Sequence, residues 1–214
     1  MGKIILITRP EHDLGTRYLS KWGKEIINEA SNKGVRVIDL HRQRAERERF
    51  LGTLKKSNPS LVVLNGHGNE NMVTGHDTQA ILTEIDGSIV SGKIIFARAC
   101  RSAKILGPSL VTQGVIVYLG YKEDFWFKYN TRDVSRPLED KTAALFLEPS
   151  NRIAIYLLKG HSAGEANKRS RELYKKNIGR LLAEGPLSED YDAIRILFWN
   201  MMNQICIGKE EVTF

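Results

Sequence analysis

The sequence predicts an α/β fold, with a mostly parallel sheet covered by helices on both faces, in a single domain over residues 1–214. Two observations carry that prediction. Short apolar runs alternate with segments whose apolar residues recur every three or four positions, the order that builds parallel strands joined by helical crossovers. The first run, Lys3–Thr8 (KIILIT), is apolar without alternation, as in a strand buried on both faces. No internal repeat, low-complexity tract or shift in composition marks a linker.

After that first strand, Leu14, Tyr18, Trp22, Ile26 and Ala30 recur every four residues and line one face of a helix that Gly34 can end. Val35–Leu40 reads as a second strand and Arg42–Lys55 as a polar helix. Ser60–Leu64 is a third strand, followed at once by Asn65-Gly66-His67-Gly68-Asn69. Residues 70–92 are less regular, with room for a short hairpin or a turn and one helix. Lys93–Ala99 is a fourth strand ending at Cys100, and Gly114–Leu119 a fifth. Gly120–Pro137 is a long aromatic and charged loop, of the kind that is often functional or mobile. Three helices close the chain. One runs from about Leu138 with a break expected near Pro149, one starts at Ser162 with Glu165 completing a capping box, and one starts near Ser188.

Bulk properties narrow the function. With 42% hydrophobic and 27% charged residues the chain suits a soluble globular protein, and no apolar run approaches the roughly 20 residues of a membrane helix. Met1–Pro10 reads as a strand and not as a signal peptide, so a cytoplasmic address is expected. The two cysteines, Cys100 and Cys206, form no disulfide framework. Without CxxC or HExxH motifs, no metal and no cofactor is expected. Much of the +7 charge lies in His41–Arg49 and Lys168–Arg180, which read as the wet faces of helices. No zinc-finger spacing or RNP-like motif supports a nucleic-acid partner.

The chemistry should lie outside the carboxyl ends of the parallel strands. His67 follows the third strand and Cys100 ends the fourth, so both emerge at one rim. A lone cysteine after an apolar strand is usually a small buried hydrophobe, and a lone histidine between glycines usually a turn residue. Their joint placement points instead to nucleophilic catalysis, in which an imidazole serves a thiol. The amides of Gly68 and Cys100 are the natural donors to a developing oxyanion.

These segments resemble the caspase-like superfamily of cysteine peptidases, the group of caspases, metacaspases, legumain, gingipains, separase and CHAT-domain proteases. Its hallmark is an apolar strand ending in His-Gly, then one ending in Ala-Cys. Here they read LVVLNGHG (residues 61–68) and KIIFARAC (residues 93–100). His67 and Cys100 are 33 residues apart, against roughly 50 in caspases, and closer to gingipain and CHAT spacing. Arg98-Ala99-Cys100-Arg101-Ser102 keeps the Ala-Cys-Arg core of the caspase pattern but not its flanking Gln and Gly. The resemblance implies a three-layer sandwich with a central sheet of about six strands. It implies a cysteine endopeptidase acting through a Cys100–His67 dyad, a protein or peptide substrate, a possible regulatory protein partner, and no necessary third acidic member.

It also implies pocket residues. Arg98 stands two before the cysteine and, with side chains alternating along the strand, shares a face with Phe96 and Cys100 at about 7 Å between α-carbons. In relatives that position lines the pocket for the residue before the scissile bond. A guanidinium there predicts an acidic substrate residue, unless Asp13, Glu123 or Asp124 neutralises it and turns the preference basic. Arg9, after the first strand, is a second candidate. Tyr121, Asp124, Phe125 and Trp126, in the loop after the fifth strand, are further substrate contacts. A catalytically silent interaction module is the alternative from another class.

Overall fold

A computed structural model describes residues 2–214; Met1, the first residue of the expected N-terminal strand segment, lies outside the described residues. Six strands form the main sheet: β1 (Ile4–Arg9), β2 (Arg36–His41), β3 (Leu61–Asn65), β6 (Ile94–Arg98), β7 (Val117–Tyr121) and β8 (Gln204–Gly208). Their spatial order is β2-β1-β3-β6-β7-β8. All neighbouring pairs are parallel except β7 with β8. A separate hairpin, β4 (Met72–Thr74) with β5 (Ala80–Thr83), occupies the irregular stretch between β3 and β6.

The alternation of side chains along these strands divides the core in two. Ile5, Ile7, Leu61, Val63, Phe96 and Leu119 face α1 (Leu14–Asn32), α5 (Lys141–Leu158) and α6 (Ala163–Glu184). Leu6, Val62, Leu64, Ile95, Ala97 and Tyr118 face α2 (Arg47–Ser57), α4 (Leu106–Thr112) and the hairpin. The helix α3 (Gly87–Val90) adds Val90 to that second layer. Strands apolar on both sides therefore require helices on both sides, and the result is an α/β three-layer sandwich. A third cluster joins α5 and α6 to α7 (Ala193–Asn203) through Phe146, Tyr174, Leu181 and Leu197.

Local chemistry explains the element ends. Asp13 caps α1: its Oδ1 accepts from the Thr16 amide at 2.7 Å, and Thr16 Oγ1 accepts from the Asp13 amide at 3.1 Å. At α6, Ser162 accepts from the Glu165 amide, but the Glu165 carboxylate goes to Arg169, so half of the expected box forms. The break expected near Pro149 is absent: α5 runs through it, and the Pro149 carbonyl accepts from Ser170 Oγ at 2.7 Å. The polar helix expected from Arg42 starts at Arg47, because Arg42 takes a φ of 55° and a short tight turn precedes the helix.

Candidate active site

β3 and β6 are hydrogen-bonded neighbours whose registered pairs end at Asn65 and Arg98. His67 and Cys100 each follow two residues later, so they leave the sheet from adjacent strands at the same carboxyl rim. The turn around His67 is tight. A Cβ on Gly66 would lie 2.1 Å from the Thr74 carbonyl oxygen, so only glycine fits. A Cβ on Gly68 would lie 3.0 Å from the Cys100 carbonyl oxygen, which puts the His67-Gly68 turn directly against the Cys100 backbone.

The two side chains are held by different partners. The His67 ring is half exposed, and its Nε2 lies 2.5 Å from Asp13 Oδ2. Cys100 Sγ donates to the Phe125 carbonyl at 3.8 Å. No hydrogen bond joins Cys100 Sγ to His67 among the described residues. Burial pushes the Cys100 thiol above its ordinary pKa; the Asp124 carboxylate adds to the push, while the Phe125 bond and Arg101 pull against it. Burial would raise the Asp13 carboxyl, but its bonds from Thr16 and His67 hold it below the usual carboxylate range.

Asp13 is the site residue that sequence reasoning missed as a partner of His67. The signal was its place as helix cap in the turn after β1, the strand next to β3. That turn is itself pinned. Glu11, 7% exposed, sits 3.2 Å from Lys21, 2.8 Å from His41 and 3.0 Å from Arg42. Burial would raise its carboxyl, but those three partners outweigh it and lower the pKa from 4.5 to about 2. A depressed carboxylate stabilises the fold above its unfolded pKa and loses that contribution as pH falls through the folded one. Glu11→Gln should therefore cost about 3 kcal/mol at pH 7. In urea titrations the gap between variant and parent should close as pH falls from 4.5 towards about 2.

The expected pocket residues divide into two groups. Arg98, Arg9, Tyr121 and Phe125 belong to the interior. Arg98 is 0% exposed, and amides meet it where a carboxylate was expected. Its Nε and Nη2 donate to Asn65 Oδ1 at 3.1 and 2.6 Å, and its Nη1 donates to Asn151 Oδ1 at 2.8 Å. Asn151 in turn donates to Glu25 at 2.9 Å, so the nearest acid is reached through an amide. Burial pulls the guanidinium pKa down to about 10. Arg98 thus offers no accessible fork to a substrate. Arg9, 4% exposed, is saturated by a two-pronged pair with Asp39 at 3.0 and 2.6 Å and by Ser20. The hydroxyl of the fully buried Tyr121 joins Ser150, Tyr174 and Gln204. Phe125 packs on Tyr121 with ring centroids 4.7 Å apart.

Trp126 and Asp124 remain at the surface. Trp126 is 57% exposed, and Asp124 pairs with Arg101 at 3.0 Å beside the thiol. The loop that carries them was expected to move freely, yet it is anchored at both ends. Asn200 accepts from the Trp126 amide at 3.2 Å and donates to its carbonyl at 2.6 Å. Trp199 Nε1 donates to the Asp124 carbonyl at 2.9 Å. Further along, Phe127 and Tyr129 stack on Tyr18, and Trp22 Nε1 donates to the Pro137 carbonyl. The aromatic spacing of the loop packs it down.

No family model matches the chain, and no curated protein matches it in sequence. Solved structures do match in fold. The crystal structure of the Arg-specific cysteine proteinase gingipain R superposes with a TM-score of 0.66 at 11% identity, covering 100% of this chain and 47% of that one. The complex of the pro- and mature domains of Porphyromonas gingivalis RgpB gives 0.63 at 11% identity, covering 100% and 48%. The chain spans about half the length of these proteins and shares their fold, as the resemblance implied. No helix is long and apolar enough to cross a membrane among the described residues.

Proposed function

We propose that this chain is a cysteine endopeptidase module in which Cys100 attacks the scissile carbonyl and His67 is the proton carrier. Asp13 acts as a positioning residue, holding the His67 ring by its Nε2. The observation that carries the reading is the emergence of His67 and Cys100 from adjacent parallel strands, with Gly68 against the Cys100 backbone. In this reading the Gly68 and Cys100 amides receive the oxyanion. The thiol leaves the Phe125 carbonyl when substrate enters, since a thiol raised by burial is a poor nucleophile until an imidazole takes its proton.

The preference we assign is for a basic residue before the scissile bond. The acidic preference rested on Arg98, whose guanidinium is enclosed and bonded to amides. Asp124 is a carboxylate beside the thiol, and its partner Arg101 is a surface residue that a substrate Arg or Lys can replace. The Arg specificity stated for gingipain R, which has this fold, points the same way.

A second reading, a catalytically silent binding module, is favoured by one observation: the thiol and the imidazole each bond elsewhere. A peptide library and alkylation decide between them. The peptidase cuts after Arg or Lys, Asp124→Asn weakens that preference, and low-dose iodoacetamide blocks Cys100 at neutral pH faster than Cys206. An intact fold with no cleavage of any library peptide and equal, slow alkylation of both cysteines selects the silent module.

A further inference from the structure

We propose that His12, Asp13 and His67 form a Zn²⁺ site on the catalytic rim. Their donor atoms all lie within 4.8 Å of one another. Asp13 Oδ2 is the centre of the group, 2.5 Å from His67 Nε2 and 3.4 Å from His12 Nε2. Tetrahedral zinc with ligands at about 2.0–2.1 Å wants donors roughly 3.3 Å apart, so small side-chain rotations suffice.

His12 supplies the strongest reason. Its ring is 12% exposed, and both ring nitrogens are buried without a hydrogen-bond partner. The Asp13 oxygen lies in a direction that completes no hydrogen bond. Such an orphaned buried group costs about 1–3 kcal/mol, and a metal on Nε2 would satisfy one of the two atoms. Asp13 is already shaped for the task. Its Oδ1 is fixed by the Thr16 amide at 2.7 Å and hydroxyl at 2.9 Å, leaving Oδ2 as the ligand atom. Outer contacts of that kind orient metal ligands. Asp13 and His67 are 39% and 48% exposed, which leaves an entry route and space for a water at the fourth position.

Two imidazoles and one carboxylate select zinc over magnesium or calcium, which demand mostly oxygen ligands. A neighbouring trio, His12, His76 and Asp77, shares the same His12 ring. It is the weaker holder, because Asp77 is 71% exposed and no helix cap fixes its carboxylate. Zinc on His67 would occupy the nitrogen that Asp13 holds. Only this consequence, inhibition of turnover, rests on the peptidase reading; the binding itself does not.

Calorimetric titration of the full, EDTA-stripped chain with Zn²⁺ tests the binding, with Co²⁺ absorption as a report on imidazole ligation. Saturable binding of one zinc per chain is expected, with intense cobalt bands of four-coordinate type. His12→Ala, Asp13→Asn and His67→Ala should each weaken it by more than the ~10–100-fold that loss of an outer-shell contact costs. His76→Ala should leave it intact. Thermal melts verify each fold, and His12→Gln replaces His12→Ala if the latter does not fold. Absence of saturable binding overturns the site, as does binding lost in His76→Ala but kept in His67→Ala. In parallel, zinc should inhibit peptide cleavage in the parent and much less in His12→Ala, each measured against its own EDTA-treated rate. A metal-free parent that cuts no peptide sinks the peptidase reading and leaves the calorimetric result to stand or fall alone.

Discussion

Cys100→Ala is expected to remove peptidase activity while leaving the melting temperature near that of the parent. The substitution deletes one half-buried sulfur whose bond to the Phe125 carbonyl is long, at 3.8 Å, so the structural loss is small. The chemical loss is total, because no other nucleophile stands on that rim in the proposed mechanism. A fall in kcat/KM on the order of 10⁴-fold or more is the scale for removing a nucleophile that acts as part of a unit. His67→Ala should cost nearly as much, and the double variant little more than either, since the two act together. Cleavage at an unchanged rate by Cys100→Ala would end the assignment.

Arg98→Ala should produce the largest loss of stability. It removes three hydrogen bonds from a fully buried guanidinium and leaves Asn65 Oδ1 and Asn151 Oδ1 facing a cavity. Two orphaned acceptors plus the cavity amount to about 3–5 kcal/mol, or a drop of about 10 °C for a chain of this size. The network explains why. Asn65 also donates to the Thr8 carbonyl at 2.8 Å, and Asn151 to the Trp22 carbonyl at 2.9 Å. Through them one cation ties the rim ends of β1, β3 and β6 to α1 and α5. Urea denaturation measures the loss, and the cleavage preference of the surviving folded fraction should match the parent. A variant of parental stability that had lost cleavage after acidic residues would return Arg98 to the substrate pocket.

Arg98 also shows how far the sequence could be read. Its position, strand and face follow from period-two alternation, and all three hold. Its partners do not follow, because Asn65 and Asn151 lie 33 and 53 residues away and neither carries a charge to suggest a pairing. The parallel strands were legible for a simple reason: burial on both faces forces continuous apolar runs such as IILITR and LVVLN. β8 was not, since it is an antiparallel edge strand with half-buried side chains that starts at the polar Gln204. The common rim of His67 and Cys100 was legible because each follows the end of an apolar run. Asp13 was not, because a helix cap and a partner for histidine look identical in sequence. The loop after β7 was read as mobile from its length and charge, whereas Phe125 and Phe127 tie it to the core.

The tether between that loop and α7 has a consequence for the order in which the molecule is made. Trp126 and Asp124 are held by Asn200 and Trp199, and Lys122 donates its amide to the Asn203 carbonyl at 2.9 Å. Asn200 and Trp199 are 74 and 75 residues downstream of the groups they hold, and Asn203 lies further still from Lys122. Chains emerge from the ribosome amino end first, and contacts this distant in sequence close only once the later partner is available. His67 and Cys100 are therefore synthesised long before the segment that seats the Phe125 carbonyl on the thiol. A nascent chain carries both side chains of the proposed dyad without their finished surroundings, which are completed only when α7 is added.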